Sequence, residues 1–132
     1  MAMTIEETAC VCVEADKVWN DSGIDVLPNE TYNFVVPQSE SWIDYDIPRS
    51  ADGYASTPLI KMWESFRRVP DENWFKLIGT IGRSVKPPIV IGSQLTGFSP
   101  SFPGRLYFFA NDLLWMYWNN KGSINVRVTR TK

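Results

Sequence analysis

The chain has 132 residues, 44% hydrophobic and 14% aromatic, with 13 Lys plus Arg against 15 Asp plus Glu for a net charge of −2. That apolar content closes the core of one domain and excludes disorder, while the near-neutral charge lacks the basic footprint that nucleic-acid binding needs. The absence of histidine removes Ser-His-Asp and Cys-His catalysis and His-ligated zinc.

At the start of the chain Glu6 and Glu7 precede Cys10, and no basic start leads into an apolar run of the kind a secretory leader needs. No apolar stretch approaches the roughly 20 residues of a membrane helix. Synthesis in the cytoplasm without a cleavable leader is expected. Ala9 to Val13 is apolar on both faces and predicts a buried strand, with Cys10 and Cys12 as buried thiols of a reducing compartment. Asp21-Ser22-Gly23 and Pro28-Asn29-Glu30 bracket a short segment from Ile24 to Leu27, and Thr31 to Val36 alternates as a strand. Asp44 and Asp46 form a close carboxylate pair, read as part of a solvated loop.

Leu59, Met62, Trp63 and Phe66 fall at i, i+3, i+4 and i+7 and predict a short helix near residues 58–67 with a core-facing stripe. Ser56-Thr57-Pro58 opens it, Pro70 lies past its end, and Arg67-Arg68 complements its C-terminal dipole. Further strands are expected at Trp74–Ile81, Ile89–Ile91, Leu106–Phe109 and Ser123–Thr129, the last with Ile124, Val126 and Val128 inward. About eight strands, one helix and many Pro and Gly turns favour an all-β sandwich, of which a jelly roll is one topology. No repeat or linker divides residues 1–132, so one domain is expected.

Chemistry concentrates between Ala110 and Gly122. Asn111, Asp112, Asn119 and Asn120 place four oxygen-bearing side chains at the two ends of one loop. Calcium takes about 6–8 oxygen ligands and accepts amide and backbone carbonyls beside carboxylates, so these residues make a partial shell. Asn-Asn-Lys-Gly is equally good turn chemistry, and both readings stay open on spacing alone.

The run from Gly104 through Asn111-Asp112 to Asn119-Asn120-Lys121-Gly122, followed by an alternating last strand, resembles the LecA (PA-I galactophilic) lectin family. The turn at Trp19–Ile24, the Tyr32–Val36 strand and the Trp42-x-x-Tyr45 loop extend the resemblance over nearly all of the chain. It implies a jelly-roll, galactose-binding-domain-like β-sandwich and a non-enzymatic, calcium-dependent, galactose-binding lectin of bacterial type. Carried over, calcium is held by the side chains of Asp112, Asn119 and Asn120 and by the backbone carbonyls of Tyr45 and Met116. Two adjacent galactose hydroxyls complete the shell, with Asp112, Asn119 and Tyr45 also in contact with the sugar.

The family completes its sugar pocket with a His and a Gln. This chain has no His, and in the corresponding loop, Asp46 to Tyr54, Arg49 and Asp52 are the candidates to stand in their place. Trp42 is the expected stacking face, whereas Trp115 and Trp118 read as core or oligomer contacts. The resemblance also implies a homo-oligomer, and export to the cell surface or exterior without a leader. The competing reading is a structural or protein-interaction sandwich that keeps the scaffold and reads no sugar. A small hydrolase is disfavoured by the missing histidine and the lack of a convincing carboxylate pair.

Overall fold

The computed structural model describes residues 1–132. The period-two pattern of the last strand governs the architecture, since Ile124, Val126 and Val128 are fully buried while their neighbours Ser123, Asn125 and Arg127 face outward. That strand is central in its sheet. Thr8–Glu14 (β1), Tyr32–Val35 (β3), Gln94–Phe98 (β8) and Ser123–Arg130 (β11) lie in the order β1-β11-β3-β8. Asn20–Val26 (β2), Leu77–Ile81 (β6), Ile89–Val90 (β7) and Gly104–Ala110 (β9) form a second sheet in the order β2-β9-β6-β7. Every strand pair in both is antiparallel.

The two sheets meet face to face, with Phe34 of β3 edge-on to Phe108 of β9 at 6.1 Å between ring centroids. A 22-residue apolar cluster fills the space between them and takes in Val11, Val13, Ile24, Tyr32, Leu77, Leu106 and Val126. The expected all-β sandwich is therefore the fold. Three short strands add a small third sheet at one end: Trp42–Asp44 (β4), Ile47–Arg49 (β5) and Asn120–Lys121 (β10), in the order β10-β4-β5. These short strands are too brief and too polar to show a period, and β8 carries Gly97 inside it, so sequence patterning passes over them.

Two expectations are corrected. Cys10 and Cys12 are exposed, because β1 is an edge strand covered on one face only and Val11 and Val13 take that face. The segment near residues 58–67 is a 3-10 turn over Lys61–Phe66 with no buried residue. A turn of six residues is too short to lay a helical stripe on the sandwich, so Leu59, Met62, Trp63 and Phe66 face solvent instead of the core. Arg67 does cap the turn, donating from Nε to the Glu64 carbonyl, while Arg68 points elsewhere. No helix is long and apolar enough to cross a membrane.

Candidate functional site

The end of β9 separates two neighbouring polar residues into opposite roles. Asn111 is fully buried and spends its whole amide on the chain: Oδ1 accepts from the Val69 N–H at 2.9 Å, and Nδ2 donates to the carbonyls of Val69, Glu72 and Asn73. It ties residues 69–73 to the sheet and has nothing left for a ligand. Arg68 reinforces that join with its guanidinium 3.6 Å over Phe109, donating to the Val18 carbonyl and to the Tyr117 hydroxyl at 2.9 Å. Tyr117 in turn donates to the Ala110 carbonyl, and burial holds its phenol well above its ordinary pKa. The loop between Asp112 and Asn119 is thus clamped at its base.

Asp112, by contrast, turns toward Asn120. It is 6% exposed, with Oδ1 accepting from the Leu113 N–H at 2.7 Å and Oδ2 from Asn120 Nδ2 at 3.1 Å. Asn120 uses its other amide proton on the Ala15 carbonyl at 3.0 Å. That leaves Asn120 Oδ1 and Asn119 Oδ1 buried without any donor. Burial raises the Asp112 carboxyl from 3.8 to about 6, against the lowering effect of its hydrogen bonds. The cluster is short of positive partners. Nowhere in the molecule do three His, Cys, Asp or Glu side chains converge, so a cation here would have to take amide and main-chain oxygens.

The small third sheet brings Tyr45 to this cluster. Asn120 of β10 pairs with Asp44 of β4, and Tyr45 follows in the tight turn to β5 with φ at 61°. A left-handed tyrosine stores backbone strain of about 1–3 kcal/mol, and such strain collects where backbone groups are aimed for function. Met116 and Asp112 border a cleft of about 340 Å³. Its polar lining is Asp44, Tyr54 and Asp112, and its walls include Trp63, Trp74, Trp115 and Leu113. The structure therefore draws Asp112, Met116, Asn119, Asn120 and the Tyr45 turn to one end of the sandwich.

Other candidates are redistributed. Trp42 is 0% exposed and packs edge-on against Phe75 at 5.7 Å, so it has no face to offer a ligand. Trp115 and Trp118 are exposed, which removes the core reading for both; Trp115 lines the cleft and meets Phe66 edge-on at 6.2 Å. Asp52 lines a separate polar cleft of about 280 Å³ and uses Oδ1 on the Ser93 N–H. Arg49 lies behind the site, its guanidinium 3.7 Å over the Tyr54 ring and its Nε buried without an acceptor.

Sequence reasoning gives no part in the site to Asp44, Tyr54, Trp63 and Trp74, which line the cleft. Asp44 is no solvated loop residue: its carboxylate accepts from the Tyr54 hydroxyl, whose pKa burial drives up. Gly53 makes this possible. With φ at +68°, it lets Tyr54 bridge to Trp74 through two main-chain bonds of 2.8 and 2.9 Å, and a Cβ there would sit 2.0 Å from the Trp74 carbonyl. The Asp44/Asp46 pair and Gly53-Tyr54 were the available signals.

No protein-family model and no curated protein matches the sequence. Among solved structures, a chain described as "EclA N-terminal domain; PllA-like lectin" superposes with a TM-score of 0.66 at 16% identity, over 92% of this chain and 94% of that one. At that identity the likeness is one of fold, and it agrees with the antiparallel β-sandwich.

Proposed function

We propose that the protein is a non-enzymatic, calcium-dependent carbohydrate-binding protein whose ligand is galactose or a related sugar. The observation that carries this is the pair of buried, donorless oxygens, Asn119 Oδ1 and Asn120 Oδ1, on consecutive residues of which Asn120 is hydrogen-bonded to the buried Asp112 carboxylate. An unsatisfied buried polar atom costs about 1–3 kcal/mol, and a cation would relieve both oxygens and the carboxylate together. The side chains of Asp112, Asn119 and Asn120 would hold the ion with the backbone carbonyls of Tyr45 and Met116. That set falls short of the roughly 6–8 oxygens calcium takes, which leaves room for two adjacent sugar hydroxyls. Bound calcium supplies those hydroxyls with a strong partner of fixed direction, and Asp112 and Asn119 hydrogen-bond the same groups. Trp63 and Trp115, on the cleft wall, take the stacking role expected of Trp42, and the similarity in fold to a lectin domain supports the assignment.

A sugar array tests this, read with calcium and with chelator on wild type and Asp112→Asn. Galactose-type hits are expected from wild type in calcium alone; hits that survive chelator would contradict the metal's role. A second reading, a protein-interaction sandwich, is favoured by the exposed apolar ridge of Met62, Trp63, Phe66, Trp115 and Trp118. Calcium binding without any sugar hit would select it.

A further inference from the structure

Cysteine is among the residue types most often buried, yet Cys10 and Cys12 both stand on the solvent face of β1. Their neighbours on that face are Thr8 and, across the ladder on β11, Asn125, Arg127 and Thr129. The core side of the strand belongs to Ala9, Val11 and Val13. Neither thiol serves the packing of the sandwich. What a cysteine offers at such a position is the chemistry of its sulfur.

Residues two apart on a strand point the same way, with Cα atoms about 6.6 Å apart. That separation disfavours an internal disulfide, whose sulfurs must close to about 2.05 Å. It suits an ion held between them. A metal–thiolate bond runs about 2.3 Å, so a linear sulfur–metal–sulfur unit spans about 4.6 Å. Strand side chains lean along the strand, and rotamers leaning toward each other bring the two sulfurs to that span. No third His, Cys, Asp or Glu converges with the pair, so zinc, which takes four ligands in closed sites, is not served.

The register supplies a charge beside the thiols. Arg130 N–H donates to the Glu7 carbonyl at 3.1 Å and Ala15 N–H to the Gly122 carbonyl at 3.0 Å, so the odd-numbered residues of β1 are the hydrogen-bonded ones. Cys10 and Arg127 are therefore a non-hydrogen-bonded pair, the kind in which side chains come closest. The next such pair brings the Thr8 and Thr129 hydroxyls to 2.7 Å. Arg127 is exposed and takes part in none of the molecule's ion pairs.

We propose that Cys10 and Cys12 form a two-coordinate site for a soft monovalent cation of the copper(I) class, held between two thiolates on the outer face of β1. Thiolates select such ions, whereas oxygen donors hold hard cations, so this site differs in chemistry from the oxygen cluster at Asp112 and does not depend on the sugar reading. Binding exchanges protons for the ion: two thiols and one copper(I) give a bis-thiolate complex of charge −1 and two protons released to buffer. Arg127, opposite Cys10, offsets that charge.

The test titrates reduced protein, without oxygen, into copper(I) held by a colorimetric chelator, and repeats the titration with Cys10→Ser and Cys12→Ser. Wild type is expected to draw one ion per chain, with a thiolate-to-copper absorption band in the ultraviolet and unchanged elution on size exclusion. Each single variant is expected to bind roughly a hundredfold more weakly, because the second thiolate then no longer binds within the same molecule. Thermal melts confirm that these substitutions leave the fold intact. A single-cysteine variant that competes like wild type would overturn the inference. So would one ion per two chains with earlier elution, or wild type that leaves the copper with the chelator.

Discussion

Of the buried polar clusters in this sandwich, the one at Glu30 is closed and the one at Asp112 is open. Glu30 is 3% exposed, yet one carboxylate oxygen accepts from the Tyr32 hydroxyl and the other from Arg130 Nη1 at 2.7 Å. Arg130 goes on to bond the carbonyls of Met3 and Lys132, so the knot joins both chain ends to β3. Asp112, equally deep, has only neutral donors and two neighbouring amide oxygens with none. A closed buried knot holds the fold; an open one, built at comparable depth, holds a place for something else.

The contrast can be broken most forcefully at the closed end. Glu30→Ala leaves the Arg130 charge and the Tyr32 hydroxyl without their buried partner and is expected to cost about 3–5 kcal/mol in urea unfolding, with or without calcium. A cost unaffected by calcium separates this knot from the Asp112 cluster. Next comes pH. The Asp112 carboxyl, raised from 3.8 to about 6, keeps its proton in the folded chain where the unfolded chain has lost it. Its contribution to stability is full below about pH 4 and is lost as pH rises through 6, a decline on the order of 2–3 kcal/mol. Melts of metal-free wild type across this range should show that decline and Asp112→Asn should not. Calcium needs the ionised carboxylate, so in its presence the slope should reverse. Smaller still, Trp115→Ala is expected to weaken sugar binding by about 1 kcal/mol in calorimetry while leaving calcium affinity unchanged. Smallest of all, Asp52→Asn should change neither, because Asp52 serves the other cleft.

How much of this was legible varies with the kind of signal. The alternation of Ile124, Val126 and Val128 declares its strand because one face is dry and the other wet. The Ala9–Val13 run misleads because cysteine is apolar by type, so an edge strand with thiols outward reads like a buried one. Leu59, Met62, Trp63 and Phe66 have helical spacing, but spacing cannot report whether a six-residue turn reaches the core. At the site, Asp112, Asn119 and Asn120 were visible as a cluster of oxygen donors. Asn111 was indistinguishable from them, since only tertiary structure shows its amide already spent on residues 69–73. Asp44 needed the β4–β10 register, and Tyr54 needed the close approach at Gly53, neither of which a single sequence displays.

The most direct measurement is a thermal melt of wild type and Asp112→Asn in excess chelator, followed by a calcium titration. Calcium held only by the folded state should raise wild-type stability by about 2.7 kcal/mol at a hundredfold excess over Kd, several degrees in Tm for a domain of this size. Asp112→Asn should melt at the same temperature with and without the ion. A wild-type melt unmoved by millimolar calcium would make Asn119 and Asn120 turn residues and remove the cation site.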